Sequence, residues 1–192
     1  HTAEPLNSRW YTGGGLFRDV TLVATSPITW FERHPLYITT TDNRIVEIQA
    51  EIATRARINE VPMRTIVCDA DGTVVYESTK QIPINRKWRT MELKTDSFVV
   101  ENPRLWSCES PHLYTASIAI LDAKGAVMDS VAHTFGIRTI EFSPEYGMKL
   151  NGEKVILKGI ANHHTLGALG AAAYPRAIEK RLQLLKEYGF NH

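Results

Sequence analysis

Residues 44–52 constrain this chain more than any other stretch. Val46, Ile48, Ala50 and Ile52 alternate with Glu47, Gln49 and Glu51. That period of two puts one face in a core and the other in water, as a half-buried antiparallel strand requires. Such a strand needs partners for its backbone N–H and C=O groups, and the surrounding residues supply them. Arg64 to Cys68 runs into the hairpin signal Asp71-Gly72, and Thr73 to Tyr76 returns on the far side. Trp88 to Leu93 and Tyr114 to Leu121 have the same character, the second presenting Tyr114, Ala116, Ile118 and Ile120 on one face. Lys124-Gly125 then turns the chain into Ala126 to Phe135. About seven short strands, regular turns and no helical period over roughly 110 residues predict a mainly β protein, an immunoglobulin-like antiparallel β-sandwich. The cysteine pair and tryptophan of antibody domains have no clear counterpart here, so the architecture is read from pattern alone.

The two ends read differently. Ser8 to Gly15 sets Trp10 and Tyr11 beside three consecutive glycines, as a tight turn next to an aromatic surface would. Leu16 to Ala24 reads as a strand that breaks at Ser26-Pro27. At the other end, Met148 to Leu150, Asn151-Gly152 and Val155 to Leu157 spell a hairpin with a type I′ turn. A Gly- and Ala-rich loop from Gly167 to Ala173 leads to Pro175, a first-turn proline, and Ile178, Leu182 and Leu185 follow at helical spacing up to a stop at Gly189. Strand, loop and amphipathic helix begin a βα unit, which by itself cannot close a barrel. The chain therefore reads as a piece cut from something longer.

Composition excludes several classes of function. The 192 residues carry 22 Lys and Arg against 21 Asp and Glu, a net charge of +1, which supplies no broad field for a nucleic acid or an anionic membrane. No apolar run reaches the roughly 18 residues of a membrane span. Cys68 and Cys108 are the only cysteines and form no Cys-x-x-Cys pair, so they read as two free buried thiols; they are compatible with cytoplasm or periplasm alike.

His163-His164 is the one ionisable cluster that invites a functional reading. It follows the apolar run Val155 to Ile160 and opens the loop before the helix, the strand end at which barrel active sites assemble. Adjacent histidines on an extended segment point oppositely and cannot both ligate one metal as a helical i, i+4 pair can. No metal or cofactor is expected. The competing reading is that both satisfy backbone groups of the loop. Asn59-Glu60, a dipeptide that can carry a glycosidase acid, reads as solvated loop beside a turn at Val61-Pro62, because glycoside hydrolysis normally needs two carboxyl groups flanking one bond. Gly13-Gly14-Gly15 lacks the Lys-Ser/Thr of a phosphate loop.

Several motifs in order resemble glycoside hydrolase family 2, the β-galactosidase, β-glucuronidase and β-mannosidase group. Ser8-Arg9-Trp10-Tyr11 with Phe17-Arg18-Asp19-Val20 is similar to the end of that family's sugar-binding jelly-roll domain. Asn102-Pro103 with Leu105-Trp106-Ser107, then Pro111 and Leu113-Tyr114, is similar to a segment of its immunoglobulin-like second domain. Phe135-Gly136-Ile137-Arg138 and Leu150-Asn151-Gly152 through Leu157-Lys158-Gly159 resemble its entry into the catalytic barrel. The resemblance implies three parts: residues 1–25 as the jelly-roll tail, 26–137 as the sandwich and 138–192 as the incomplete start of a (β/α)8 barrel. It also implies a retaining β-glycosidase acting on a β-linked sugar, with His163 reaching the sugar. The catalytic glutamates would stand on later barrel strands, so none is expected here and the piece alone is expected to be inactive. Thr165 stands where many bacterial members carry an aspartate.

Two other readings stay open at this point. Trp10, Tyr11, Trp30, Trp88 and Trp106 could serve a free-standing carbohydrate-binding or adhesion module, or the chain could be a purely structural sandwich. With its barrel absent, the helix carrying Ile178, Leu182 and Leu185 is expected to pack on the sandwich or on a second copy of the chain, or to be mobile. Each of those side chains is worth roughly 1.5–3 kcal/mol when fully buried.

Overall fold

A computed structural model describes residues 20–85, 90–163, 166–170, 172 and 174–192. The chain divides into two compact units, one spanning Ala24–Val155 and the other containing Val20–Val23 and Ile156–His192. The first unit holds seven sandwich strands: β1 (Thr29–Thr41), β2 (Ile45–Thr54), β3 (Glu60–Cys68), β4 (Val74–Pro83), β5 (Thr90–Val99), β6 (Tyr114–Leu121) and β7 (Val127–Phe135). They form two antiparallel sheets, ordered β1-β2-β5 and β4-β3-β6-β7. Strand β4 pairs with β3 rather than β5, so four strands lie on the β3–β6–β7 side, unlike the constant-type immunoglobulin division. The mainly β sandwich expected from the alternation is present.

The core is the inner layer of both sheets. Val46, Ile48, Ala50 and Ile52 of β2 pack in one cluster with Val61, Met63 and Val67 of β3 and with Tyr114, Ala116, Ile118 and Ile120 of β6. Ile48, Ile52 and Val67 are completely inaccessible, the placement that period-two patterning demands. A tyrosine corner closes the entry to β6: the hydroxyl of Tyr114 accepts the backbone N–H of Arg104 at 2.8 Å. Ala116 stands two residues on, where antibody domains carry their second cysteine. Cys68 and Cys108 are free thiols, half-buried rather than buried.

Two irregularities shape the three-stranded sheet. In β5, Asp96 and Lys94 face Ile48 and Gln49, so Thr95 is an extra residue. Met91 and Leu93 are buried before this bulge and Phe98 and Val100 after it, while Thr95 and Asp96 are both buried at it. The bulge thus turns an aspartate into the core. In β1, Phe31 faces Ile52 and Leu36 faces Ala50, leaving residues 32–35 opposite the single Glu51. His34 within this excursion has φ of 57°. The change of face between the two halves of β1, together with Pro35, hides this strand from a search for simple alternation.

Some sequence expectations need correction. Val61-Pro62 is no turn: both residues lie in β3, which starts at Glu60. Pro62 stands one residue outside the stretch paired with β6, where a missing N–H is tolerated. Of the strand expected over Leu16 to Ala24, residues 16–19 lie outside the described ones. Val20 to Ala24 belong to no strand, and among the described residues they have no ladder partner to make them one. The C-terminal hairpin is present as β9 (Gly147–Leu150) and β10 (Glu153–Val155), joined by Asn151 and Gly152 at φ of 54° and 85°, the left-handed pair of a type I′ turn. An additional strand, β8 (Ile140–Ser143), completes a meander of order β10-β9-β8.

In the second unit, α1 spans Pro175–Glu187, with proline in its first turn and Gly189 at φ of 84° just beyond its end. These are the start and stop signals present in the sequence. Ile178 and Leu182 remain 38% and 53% exposed. Among the described residues no helix is long and apolar enough to cross a membrane.

Candidate functional site

His163 lies on the segment that leads from β10 toward α1, and its side chain is exposed. The backbone carbonyl of His163 accepts a hydrogen bond from Arg181 Nη1 of α1 at 3.0 Å, so the helix holds the segment by its main chain. Asn191 secures the same segment further back. Its side-chain amide donates to the carbonyl of Ile156 at 3.1 Å and its Oδ1 accepts the N–H of Lys158 at 2.8 Å. The backbone N–H of Asn191 donates to the carbonyl of Lys158 at 3.0 Å. Gly159 passes close to His192 at this approach, where a Cβ would stand 2.7 Å from Nδ1 of His192. After α1 the chain has returned beside the segment it left, as a βα crossover does. His164 and Thr165, like Trp10, Tyr11 and Trp88, lie outside the described residues. Among the described residues no group of three or more His, Cys, Asp or Glu is placed to hold a metal ion.

The motifs at Trp106, Gly136, Arg138 and Asn151, far apart in sequence, meet in space. The N–H of Trp106 donates to the carbonyl of Ile137 at 2.9 Å, laying the indole on the backbone of Gly136. A Cβ at Gly136 would sit 2.7 Å from that of Trp106, so only glycine fits without displacement. The Arg138 guanidinium covers the indole at 4.7 Å from its centroid, a cation–π contact. Asn151 ties the arrangement to the meander: its Nδ2 donates to the Trp106 carbonyl at 3.0 Å and its Oδ1 accepts the N–H of Thr139 at 3.0 Å. Thr40 of β1 donates through Oγ1 to the carbonyl of Arg138 at 2.8 Å. These bonds fix the path of the chain as it leaves β7.

Sequence reading missed two charged clusters. Asp96, 2% exposed, accepts Thr65 Oγ1 at 2.5 Å, Tyr76 Oη at 2.7 Å, Ser78 Oγ at 2.8 Å and Lys80 Nζ at 2.5 Å. Every donor comes from the opposite sheet, where Tyr76, Ser78 and Lys80 recur at period two along β4. Burial pushes the Asp96 carboxyl up, but Lys80 and the three hydroxyls together outweigh it and hold it below its ordinary value. Asp96 in turn raises the Lys80 ammonium. The spacing of Tyr76, Ser78 and Lys80 was legible, whereas the bulge that aims Asp96 at them was not. Asp69, at the end of β3, pairs with Arg104 Nη2 and His112 Nε2, each at 2.6 Å. The Arg104 guanidinium, ahead of smaller contributions from Ala70 N–H and His112, keeps Asp69 below the usual carboxylate range. Both clusters are saturated by protein partners, the pattern of groups that hold structure together.

Comparison with known proteins decides the family. The model of glycosyl hydrolases family 2 matches residues 33–138. The chain belongs to glycosyl hydrolase family 2. Among its relatives, Beta-galactosidase BoGH2A of Bacteroides ovatus is 34% identical over 197 residues, covering 98% of this chain and 22% of that protein. A beta-glucuronidase of Bacteroides fragilis is 27% identical over 187 residues, covering 93% and 26%. The crystal structure of a family 2 member from Bacteroides cellulosilyticus superposes with a TM-score of 0.84 at 32% identity, over 98% of this chain and 26% of the other. This family 2 chain therefore spans about a quarter or less of the length of these relatives. The family match at residues 33–138 includes Trp106, Gly136 and Arg138, so the tryptophan–arginine contact lies inside the family region.

Proposed function

We propose that this chain is a section of a retaining, β-galactosidase-like β-glycosidase, in which residues 26–137 hold a sugar-binding domain and a catalytic barrel in register. Residues 1–25 end the sugar-binding jelly roll, and residues 138–192 begin the barrel. The observation that carries this reading is the 34% identity to BoGH2A over 98% of the chain but only 22% of that β-galactosidase. In the retaining route one carboxylic acid protonates the leaving oxygen, a second attacks the anomeric carbon, and water resolves the glycosyl intermediate. Neither acid is assigned to this chain. Asp96, buried, and Asp69, half-buried, are already occupied by donors, so neither is poised to take part. His163, exposed and anchored through its carbonyl to Arg181, contacts the sugar and not the scissile proton. No metal, cofactor, nucleic acid or membrane takes part in this reading.

Aryl β-galactosides test it. The chain alone gives no turnover above blank, while the full-length protein releases product with retained anomeric configuration and loses affinity on His163→Ala. Turnover by the chain alone that survives His163→Ala would overturn the assignment.

A further inference from the structure

The excursion in β1 opens a groove of about 380 Å³ on the outer face of the three-stranded sheet, within the roughly 300–1,000 Å³ usual for small-ligand sites. Tyr37 forms one wall and is 64% exposed. Gln49 faces it directly across β1 and β2, Glu51 and Glu92 face each other across β2 and β5, and His34 comes from the excursion itself. Like charges directly opposite on a sheet destabilise it. Lys94, which flanks the pair, is engaged with Glu47 at 2.5 Å. Neither Glu51 nor Glu92 has a hydrogen bond or ion pair among the described residues. An unpartnered aromatic face beside an amide, an imidazole and two carboxylates matches a pyranose, whose C–H face stacks on a ring while its hydroxyls donate to carboxylates.

We propose that this groove is a second sugar site, on the sandwich and separate from the His163 loop, which takes a neutral β-linked glycosyl unit. The two carboxylates, whose flanking Lys94 is engaged by Glu47, repel a uronate, so the site discriminates against acidic sugars. The choice of a β-linked sugar rests on the function proposed above.

Titration of the isotopically labelled chain with millimolar lactose, read by nuclear magnetic resonance, tests the site. Saturable shifts are expected for the Tyr37 ring and for Glu51 and Glu92, and none with glucuronate at the same concentration. Tyr37→Ala is expected to weaken binding about tenfold or more, from loss of the stacked ring. Tyr37→Phe retains binding, and so does His163→Ala. The double variant Glu51→Gln, Glu92→Gln, altered only on the sheet face, weakens binding without touching the core and serves if Tyr37→Ala fails to fold. Unmoved Tyr37 signals, equal binding by glucuronate, or binding indifferent to the double variant would overturn the groove. Shifts confined to residues 156–163 and abolished by His163→Ala would overturn it too, while leaving the glycosidase reading intact. That reading stands or falls separately on turnover of aryl β-galactosides by the full-length protein.

Discussion

A single side chain joins the two sheets by charge. Asp96 crosses from β5 to four donors on β3 and β4; Lys80 is 44% exposed, so water screens the pair, and hydrogen bonds to a charged group contribute about 1.5–3 kcal/mol. Asp96→Asn is expected to lower unfolding free energy by about 2 kcal/mol, measured by urea denaturation at neutral pH. The pH dependence has a definite sign. The folded carboxyl is held below its ordinary 3.8, so the folded state binds fewer protons than the unfolded chain. The stabilisation is whole above that value and is lost as pH falls through the folded pKa. Wild-type stability should therefore drop on acidification below about pH 4 more steeply than that of Asp96→Asn; parallel curves would show that Asp96 does not carry the acid limb. Gly136 is a second decisive residue. A Cβ 2.7 Å from that of Trp106 forces the indole off its seat under Arg138, and overpacking of this kind costs about 1–3 kcal/mol. Gly136→Ala should lower the melting temperature and change the tryptophan near-ultraviolet circular dichroism together.

Among the elements, β5 owes its function in the fold to one extra residue. Thr95 donates to the carbonyl of Ile48 at 3.1 Å and lets Asp96 and Phe98 both face inward. Deleting Thr95 removes the extra residue and leaves Lys94 opposite Gln49 and Asp96 opposite Ile48 in a regular ladder, so Asp96 and Phe98 keep their inward faces. Inserting one residue between Asp96 and Ser97 instead slips the rest of the strand, and a slip of one moves every side chain to the other face, turning Phe98 to solvent and Ser97 into the core. The insertion is expected to abolish the cooperative urea transition, whereas deletion of Thr95 should retain it. The turn between β9 and β10 is another element-level test. Asn151 and Gly152 are both left-handed, so Asn151→Ala loses the cross-links to Trp106 and Thr139 as well as the conformation its backbone needs. Its effect should exceed the few tenths of a kcal/mol usual at exposed surface sites, measured by thermal unfolding.

For the whole molecule, the two units of the chain call for different kinds of evidence. The sandwich unit carries its own core, so its amides should show strong protection in hydrogen exchange, with β2, β3 and β6 the slowest. Helix α1, with Ile178 and Leu182 38% and 53% exposed, lacks a matching burial. Its amides should exchange faster than those of β6, and protection rising with protein concentration would reveal a second copy on its apolar face. The alternation of β2 and β6, the turn at Asp71-Gly72, the Asn151-Gly152 hairpin and the limits of α1 were all legible in the sequence, because each depends on neighbours within a few residues. The motifs of the family were legible too, but as words without a reason. Their physical sense, an indole seated on Gly136, roofed by Arg138 and tied by Asn151, required the chain to fold back on itself. So did the inward turn of Asp96 and the groove at Tyr37, since each depends on register, and a bulge changes register by one residue without leaving any period in the sequence. Local periodicity fixes which residues can share a face; only the pairing of distant strands decides which faces meet.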